Sequence, residues 1–143
     1  MKGLHVPTKE NPREFDDQIL ALSKILNDSI NKKGVKKFTG IDPKRAKDIL
    51  DLEEDKNLGS IYWIEAMLVE KFDLEKDEVI ETLDPLFKLQ KIRSSGVAHR
   101  RGYKYDKTKE KVGLNNTTYQ NFFGNLLKEI TNMLHYISDK ANI

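Results

Sequence analysis

The sequence predicts an all-α fold, an up-and-down bundle of four to five helices. Apolar residues recur at steps of three and four through most of the chain, which is the period of an amphipathic helix. No run alternates polar and apolar residues as a strand does, and no Asn-Gly or Asp-Gly pair supplies a hairpin turn. A hydrophobic fraction of 38% is enough for one core, so we expect a single domain over residues 1–143.

The first predicted helix covers residues 12–33. Pro12 suits its first turn, and Gly34 is expected to end it. Residues 4–7 are predicted to form an extended entry without a core of its own, as expected if the chain is the C-terminal part of a longer protein. The apolar stripe of this helix consists of Phe15, Ile19, Leu22, Leu26 and Ile30.

Two shorter helices are predicted next. Asp42 as N-cap and Pro43 in the first turn indicate a charged helix that runs to about Glu54. Another helix is expected from Ser60 to Phe72. Trp63 within it is expected to pack in the core or in an interface rather than to stack on a base, because its neighbours keep helical spacing.

The last part of the chain predicts two longer helices separated by a loop. The apolar pattern resumes at about Lys76 and meets Asp84-Pro85, where the helix should kink or restart with the aspartate as cap. Residues 102–116 lack periodicity and are predicted to be a loop. A Thr-x-x-Gln capping box at Thr117 opens the last helix, which runs to about Asp139. Its wide apolar arc predicts burial between helices or in a subunit interface.

Composition excludes several kinds of chemistry. The chain has no cysteine, so it has neither disulfides nor thiolate ligands, and its three histidines, His5, His99 and His135, are scattered. We therefore expect no metal site and no cofactor, and His135 should lie exposed on the last helix. No apolar run approaches the length of about 20 residues that spans a bilayer, and no signal peptide is evident, which predicts a cytoplasmic protein.

Charge is segregated along the chain. Residues 1–41 carry a net +3, residues 42–87 carry −8, residues 88–111 carry +7, and the remainder is neutral. A basic block of this size is a candidate footprint for a polyanion. The simpler interpretation is a solvated, lysine-rich surface loop.

The basic block surrounds one histidine at the end of a predicted core helix. Arg93 lies in the last turn of that helix, and Gly96 permits the change of direction that brings His99 towards it. Histidine can exchange a proton near neutral pH, and arginine binds phosphate in a planar fork. This pairing suits RNA cleavage.

Arg93, five intervening residues and His99 resemble the signature of the HEPN superfamily of bacterial and archaeal RNases and toxins, an arginine followed by histidine after four to six residues. The resemblance implies a metal-independent endoribonuclease, a toxin or antiviral defence effector, that works as a homodimer with both motifs in one cleft. It implies that His99 acts as general acid or base on the RNA and that Arg93 stabilises the scissile phosphate. Ser94 belongs to the same predicted catalytic site, at a position where active members often carry Asn, Asp or His.

The residues after His99 are expected to bind RNA. Basic side chains can follow the backbone and tyrosines can stack on bases. Alternatively, the tyrosines anchor the segment against the bundle and the lysines keep it soluble. The predicted RNA-binding residues are Arg100, Arg101, Tyr103, Lys104, Tyr105 and Lys107.

Other functions remain open. Ser94 carries no charge, which favours a non-catalytic HEPN-like module for dimerisation or RNA binding within a larger defence protein, and a module that binds only protein is a third hypothesis. Arg93 and His99 would then be a structural pair at a helix C-terminus, where cations are favoured. The expected partners are RNA, a second copy of the chain, and an antitoxin or a further domain of the parent protein, but no membrane.

Overall fold

The computed structural model describes residues 12–26, 32–94 and 103–141; 84% is helical and these ranges contain no strand. The all-α class is confirmed. The described residues form seven α-helices, more than the four to five expected. They are α1 Pro12–Leu26, α2 Lys32–Thr39, α3 Pro43–Leu50, α4 Ser60–Phe72, α5 Lys76–Ile92, α6 Tyr103–Val112 and α7 Tyr119–Ala141.

The chain divides into two compact units, and the first consists of Met1–Ser29 and Pro85–Asn132. Aromatic rings of α1 and α7 meet in its core, where Phe15 stacks on Tyr119 with 4.6 Å between ring centroids. Phe122 approaches Phe15 edge-on at 6.1 Å. The other buried apolar side chains of this unit are Ile19, Leu22, Leu86, Leu89, Ile92, Leu114, Phe123, Leu126 and Ile130. This core holds the end of α5, where the predicted site begins.

The second unit consists of Ile30–Asp84 and Met133–Ile143, and in it α4 packs against both α2 and α3. Trp63 is only 2% exposed, so the prediction that it packs in the core is confirmed. His135 on α7 is exposed, as predicted. The cluster around the tryptophan contains Ala46, Leu50, Leu58 and Ala66.

Local capping chemistry sets both ends of α3. The Asp42 carboxylate accepts a hydrogen bond from the Arg45 amide at 2.8 Å, which confirms the predicted N-cap. The helix ends at Leu50 and not near Glu54. Asp51 adopts a left-handed conformation with φ of 54°, and the amide of the next residue turns back to a carbonyl of the last helical turn.

The glycine that ends a helix in this region is Gly40 and not Gly34. Gly34 lies inside α2, where an interior glycine costs about 1 kcal/mol relative to alanine and is tolerated. Gly40 has φ of +63°, a conformation that favours glycine, and follows directly after α2. The predicted end of the first helix at Gly34 is therefore wrong.

Helix α5 continues through Pro85 as one helix, so a restart with Asp84 as cap is wrong. Proline removes one amide donor from the helix interior. Pro85 is buried, as are its sequence neighbours Leu83 and Leu86, and burial of this side of the helix favours continued helical backbone.

The predicted loop at residues 102–116 is also wrong, because the region contains α6 and a short 3₁₀ turn, Leu114–Asn116. Helix α6 is rich in lysine and tyrosine and carries no apolar stripe, so its helicity follows from backbone propensity rather than periodicity. The cap of α7 is Thr118, one residue after the predicted Thr117. Its hydroxyl accepts a hydrogen bond from the Asn121 amide at 3.1 Å.

Candidate functional site

Arg93 follows the last residue of α5 directly. Ile92 is 1% exposed and fixes this end of the helix in the core of the first unit. Arg93 and Ser94 continue the backbone as a wide, π-type turn. The core packing of α5 therefore determines where Arg93 lies, as the sequence predicts.

The Arg93 side chain is half-buried, and its Nε atom is buried without a hydrogen-bond partner among the described residues. A buried donor that lacks an acceptor costs roughly 1–3 kcal/mol. An anionic oxygen that reached this nitrogen would relieve that cost and gain a charge-assisted hydrogen bond. Arg93 thus offers a buried donor that an anionic ligand could satisfy.

Ser94 makes a local contact. Its side chain is exposed, and its hydroxyl donates a hydrogen bond to the carbonyl oxygen of Lys91 at 3.3 Å. Carbonyls in the last turn of a helix lack intrahelical partners, so this bond helps to close α5. The hydroxyl proton is engaged in capping the helix.

Most of the other predicted site residues have no described side chain. His99, Arg100 and Arg101 lie outside the described residues. Tyr103, Lys104 and Tyr105 form the first turn of α6, and the structure describes only their backbone. Whether Arg93 and His99 meet therefore stays a prediction.

The later part of the basic block lies on helix α6. Positions 104, 107 and 111 recur at steps of three and four, so these lysines share one face of the helix. Lys107 and Lys111 are exposed. Lys109 instead lies 5.9 Å from the centroid of the Tyr119 ring, and Lys88 pairs with Glu129 at 3.3 Å. The basic block therefore includes cations that are exposed and cations that contact other residues of the first unit.

Within the ranges that the structure covers, no group of three or more metal-ligating side chains comes together. None of the helices in those ranges is both long enough and apolar enough to cross a bilayer.

Comparison of the chain with protein-family models, with curated proteins and with solved structures yields no match.

A buried carboxyl group in the second unit was not singled out by the sequence. Glu65 on α4 is 2% exposed, and its Oε2 atom has no hydrogen-bond partner among the described residues. Burial, with a smaller contribution from the charge of Asp84, raises the pKa of Glu65 from 4.5 to about 8. The only sequence signal is its position among apolar residues on every side of α4.

The elevated pKa of Glu65 predicts that stability falls with pH. The folded state holds this proton more tightly than the unfolded state, so the free energy of unfolding should decrease as pH rises from about 5 to about 8. The slope should reach at most about 1.4 kcal/mol per pH unit. Glu65→Gln removes the titration and should flatten the slope, as measured by urea unfolding across this pH range. Glu81→Gln, at an exposed position of α5, is the control. Equal slopes for Glu65→Gln and the unmodified protein would contradict this prediction.

Proposed function

We propose that this protein is a metal-independent endoribonuclease of the HEPN type, an up-and-down helical bundle that acts in the cytoplasm as a toxin or antiviral defence effector. One observation carries the proposal: the half-buried Arg93 at the end of a core helix, whose Nε has no hydrogen-bond partner among the described residues. An arginine in this state favours binding of a phosphate oxygen. The net charge of +7 over residues 88–111 supports a polyanionic substrate.

The proposed reaction is transfer of the phosphodiester to the neighbouring 2′-oxygen of the RNA. That oxygen forms a bond to phosphorus while the bond from phosphorus to the 5′-oxygen breaks. His99 either takes the proton of the 2′-hydroxyl as a base, and water then protonates the leaving 5′-oxygen, or it donates a proton to that oxygen as an acid, and water takes the 2′-hydroxyl proton. Arg93 stabilises the charge that develops on the phosphate oxygens. The products are a 2′,3′-cyclic phosphate and a 5′-hydroxyl.

The face of α6 that carries positions 104, 107 and 111 supports a path for the RNA backbone. Lys107 and Lys111 are exposed and could contact successive phosphates. Arg100 and Arg101 extend the cationic series, and Tyr103 and Tyr105 could stack on bases. In this proposal two copies of the chain pair to form one cleft, regulated by an antitoxin or by a further domain.

A second candidate function is a non-catalytic module that binds RNA or dimerises within a larger defence protein. The observation in its favour is the hydrogen bond from the Ser94 hydroxyl to the Lys91 carbonyl. In this candidate Ser94 helps to close α5 and takes no part in a reaction.

Incubation of the purified full chain with tRNA and mRNA in the presence of a chelator tests the proposed function. Cleavage that leaves 2′,3′-cyclic phosphate ends is expected, and DNA of the same sequence should stay intact because it lacks the 2′-hydroxyl. Intact RNA that nevertheless binds in a salt-dependent manner would support the second candidate instead. Intact RNA without binding would contradict the nuclease and also the RNA-binding form of the second candidate.

A further inference from the structure

The second unit contains a cationic pocket whose lining includes none of the predicted site residues. It has a volume of about 230 Å³ and is formed by α2, α3, α4 and the segment between α3 and α4. The pocket is lined by Lys36, Pro43, Lys47, Lys56, Asn57, Leu58 and Trp63. Three of these seven residues are lysines and none is acidic.

The three lysines bring uncompensated positive charge to the pocket. No carboxylate of the described residues pairs with any of them. The Lys47 ammonium donates one hydrogen bond, to the backbone carbonyl of Glu54, and an ammonium has three donors. Two ammonium groups therefore have all their hydrogens available for a ligand, and the third has two.

Aromatic rings hold two of these lysines in place. The Lys36 ammonium lies 5.5 Å from the centroid of the Trp63 ring, and the Lys56 ammonium lies 5.7 Å from that of Tyr62. Cation–π contacts of this kind orient a flexible side chain at a modest gain in free energy. Leu58 and Trp63 are both buried and form an apolar floor beneath the charges. Electrostatic attraction is stronger beside such a floor than in open water.

We propose that this pocket binds a small phosphate monoester, with the size of a mononucleotide. A phosphate monoester carries a charge of about −1.5 to −2 at neutral pH and several strong acceptor oxygens. Lys36, Lys47 and Lys56 supply compensating charge and donors, and the exposed amide of Asn57 can donate to a further oxygen.

The surroundings favour a small anion over a nucleic-acid strand. Residues 42–87 carry a net charge of −8, and the exposed carboxylates of Glu53, Glu54 and Asp55 are not part of the pocket lining. Beyond the pocket, a polyanion would meet repulsion from these groups. A compact dianion held within the pocket contacts no carboxylate of the lining, because the lining contains none.

The sequence does not reveal this site. Its lysines come from three separate segments, and two of them lie within the most acidic block of the chain. Only the packing of α2 and α3 against α4 brings them together. The pocket lining contains neither Arg93 nor His99, and neither residue supports the proposed ligand, so this site does not rest on the proposed nuclease activity.

Calorimetric titration of the full chain with adenosine monophosphate, inorganic phosphate and adenosine tests the proposal. Both phosphates should bind, whereas adenosine should bind at least about tenfold more weakly than its monophosphate because it lacks charge-assisted hydrogen bonds. Lys36→Gln and Lys56→Gln should each weaken binding of the monophosphate about tenfold. Lys44→Gln changes an exposed lysine of α3 that does not line the pocket, and should bind like the unmodified protein. The chain has one tryptophan, so a fluorescence change on binding would report directly from Trp63.

Several outcomes would overturn the inference. One is equal affinity for adenosine and its monophosphate, and another is unchanged affinity when Lys36 and Lys56 are both replaced. A short RNA with a 5′-hydroxyl that binds the same lysines more tightly than the monophosphate would assign the pocket to RNA backbone instead.

Retention of binding in His99→Ala, together with loss in Lys36→Gln, would separate this site from the proposed nuclease site.

Discussion

Replacement of His99 by alanine is expected to lower the rate of RNA cleavage about 10²–10⁴-fold, the usual contribution of a catalytic proton transfer. In the proposed reaction no other side chain exchanges a proton with the RNA, because histidine is the group whose pKa ordinarily lies nearest to working pH. Initial rates on a labelled RNA, measured with a chelator present, give the ratio. His135→Ala is the matched control, since His135 is an exposed histidine of α7.

The His135→Ala control distinguishes loss of a catalytic group at His99 from a general effect of replacing a histidine. His135→Ala should cleave at the rate of the unmodified protein, and both variants should show the same helical content by circular dichroism. An unchanged rate for His99→Ala would place the activity at another site. Equal losses in the two variants would indicate an indirect effect on the fold.

Replacement of Phe123 by alanine is expected to destabilise the protein by about 3–5 kcal/mol, the usual cost of truncating a buried phenylalanine. Phe123 is fully buried on α7, in the same unit as the stacked rings of Phe15 and Tyr119. Truncation removes its apolar contacts and leaves a cavity that a close-packed core fills only in part. Urea unfolding followed by far-ultraviolet circular dichroism measures the change.

Phe38→Ala is the matched control for this core position. Phe38 on α2 is 62% exposed, so its truncation should change the free energy of unfolding by no more than about 0.5 kcal/mol. Similar effects of the two substitutions would mean that Phe123 is not part of a rigid core.

Features that depend on neighbouring residues were predictable from the sequence. Asp42 and Pro43 specify the start of α3, because an N-cap and a first-turn proline act within a single turn. The apolar spacing between Ser60 and Phe72 gives both ends of α4. The same apolar spacing predicts that α5 ends next to Arg93. Periodicity therefore identified the helices that bury a face.

Features that depend on backbone handedness or on distant contacts were not predictable. Nothing local distinguishes Gly34 within a helix from Gly40 at its end, because the difference is a positive φ. Helix α6 has no apolar stripe, so its sequence lacks the periodicity that distinguishes a helix from a loop. The burial of Glu65 depends on packing between elements that are distant in sequence. His99 lies outside the described residues, so its place beside Arg93 stays a prediction.

The buried carboxyl of Glu65 also couples unfolding to proton uptake by the buffer. Because this group is mostly protonated in the folded protein near neutral pH, global unfolding there releases a proton that the buffer must take up. The heat absorbed on unfolding then includes the ionisation enthalpy of that buffer. Calorimetric enthalpies of this protein measured near neutral pH will differ between phosphate and amine buffers, even when its conformation is the same in both.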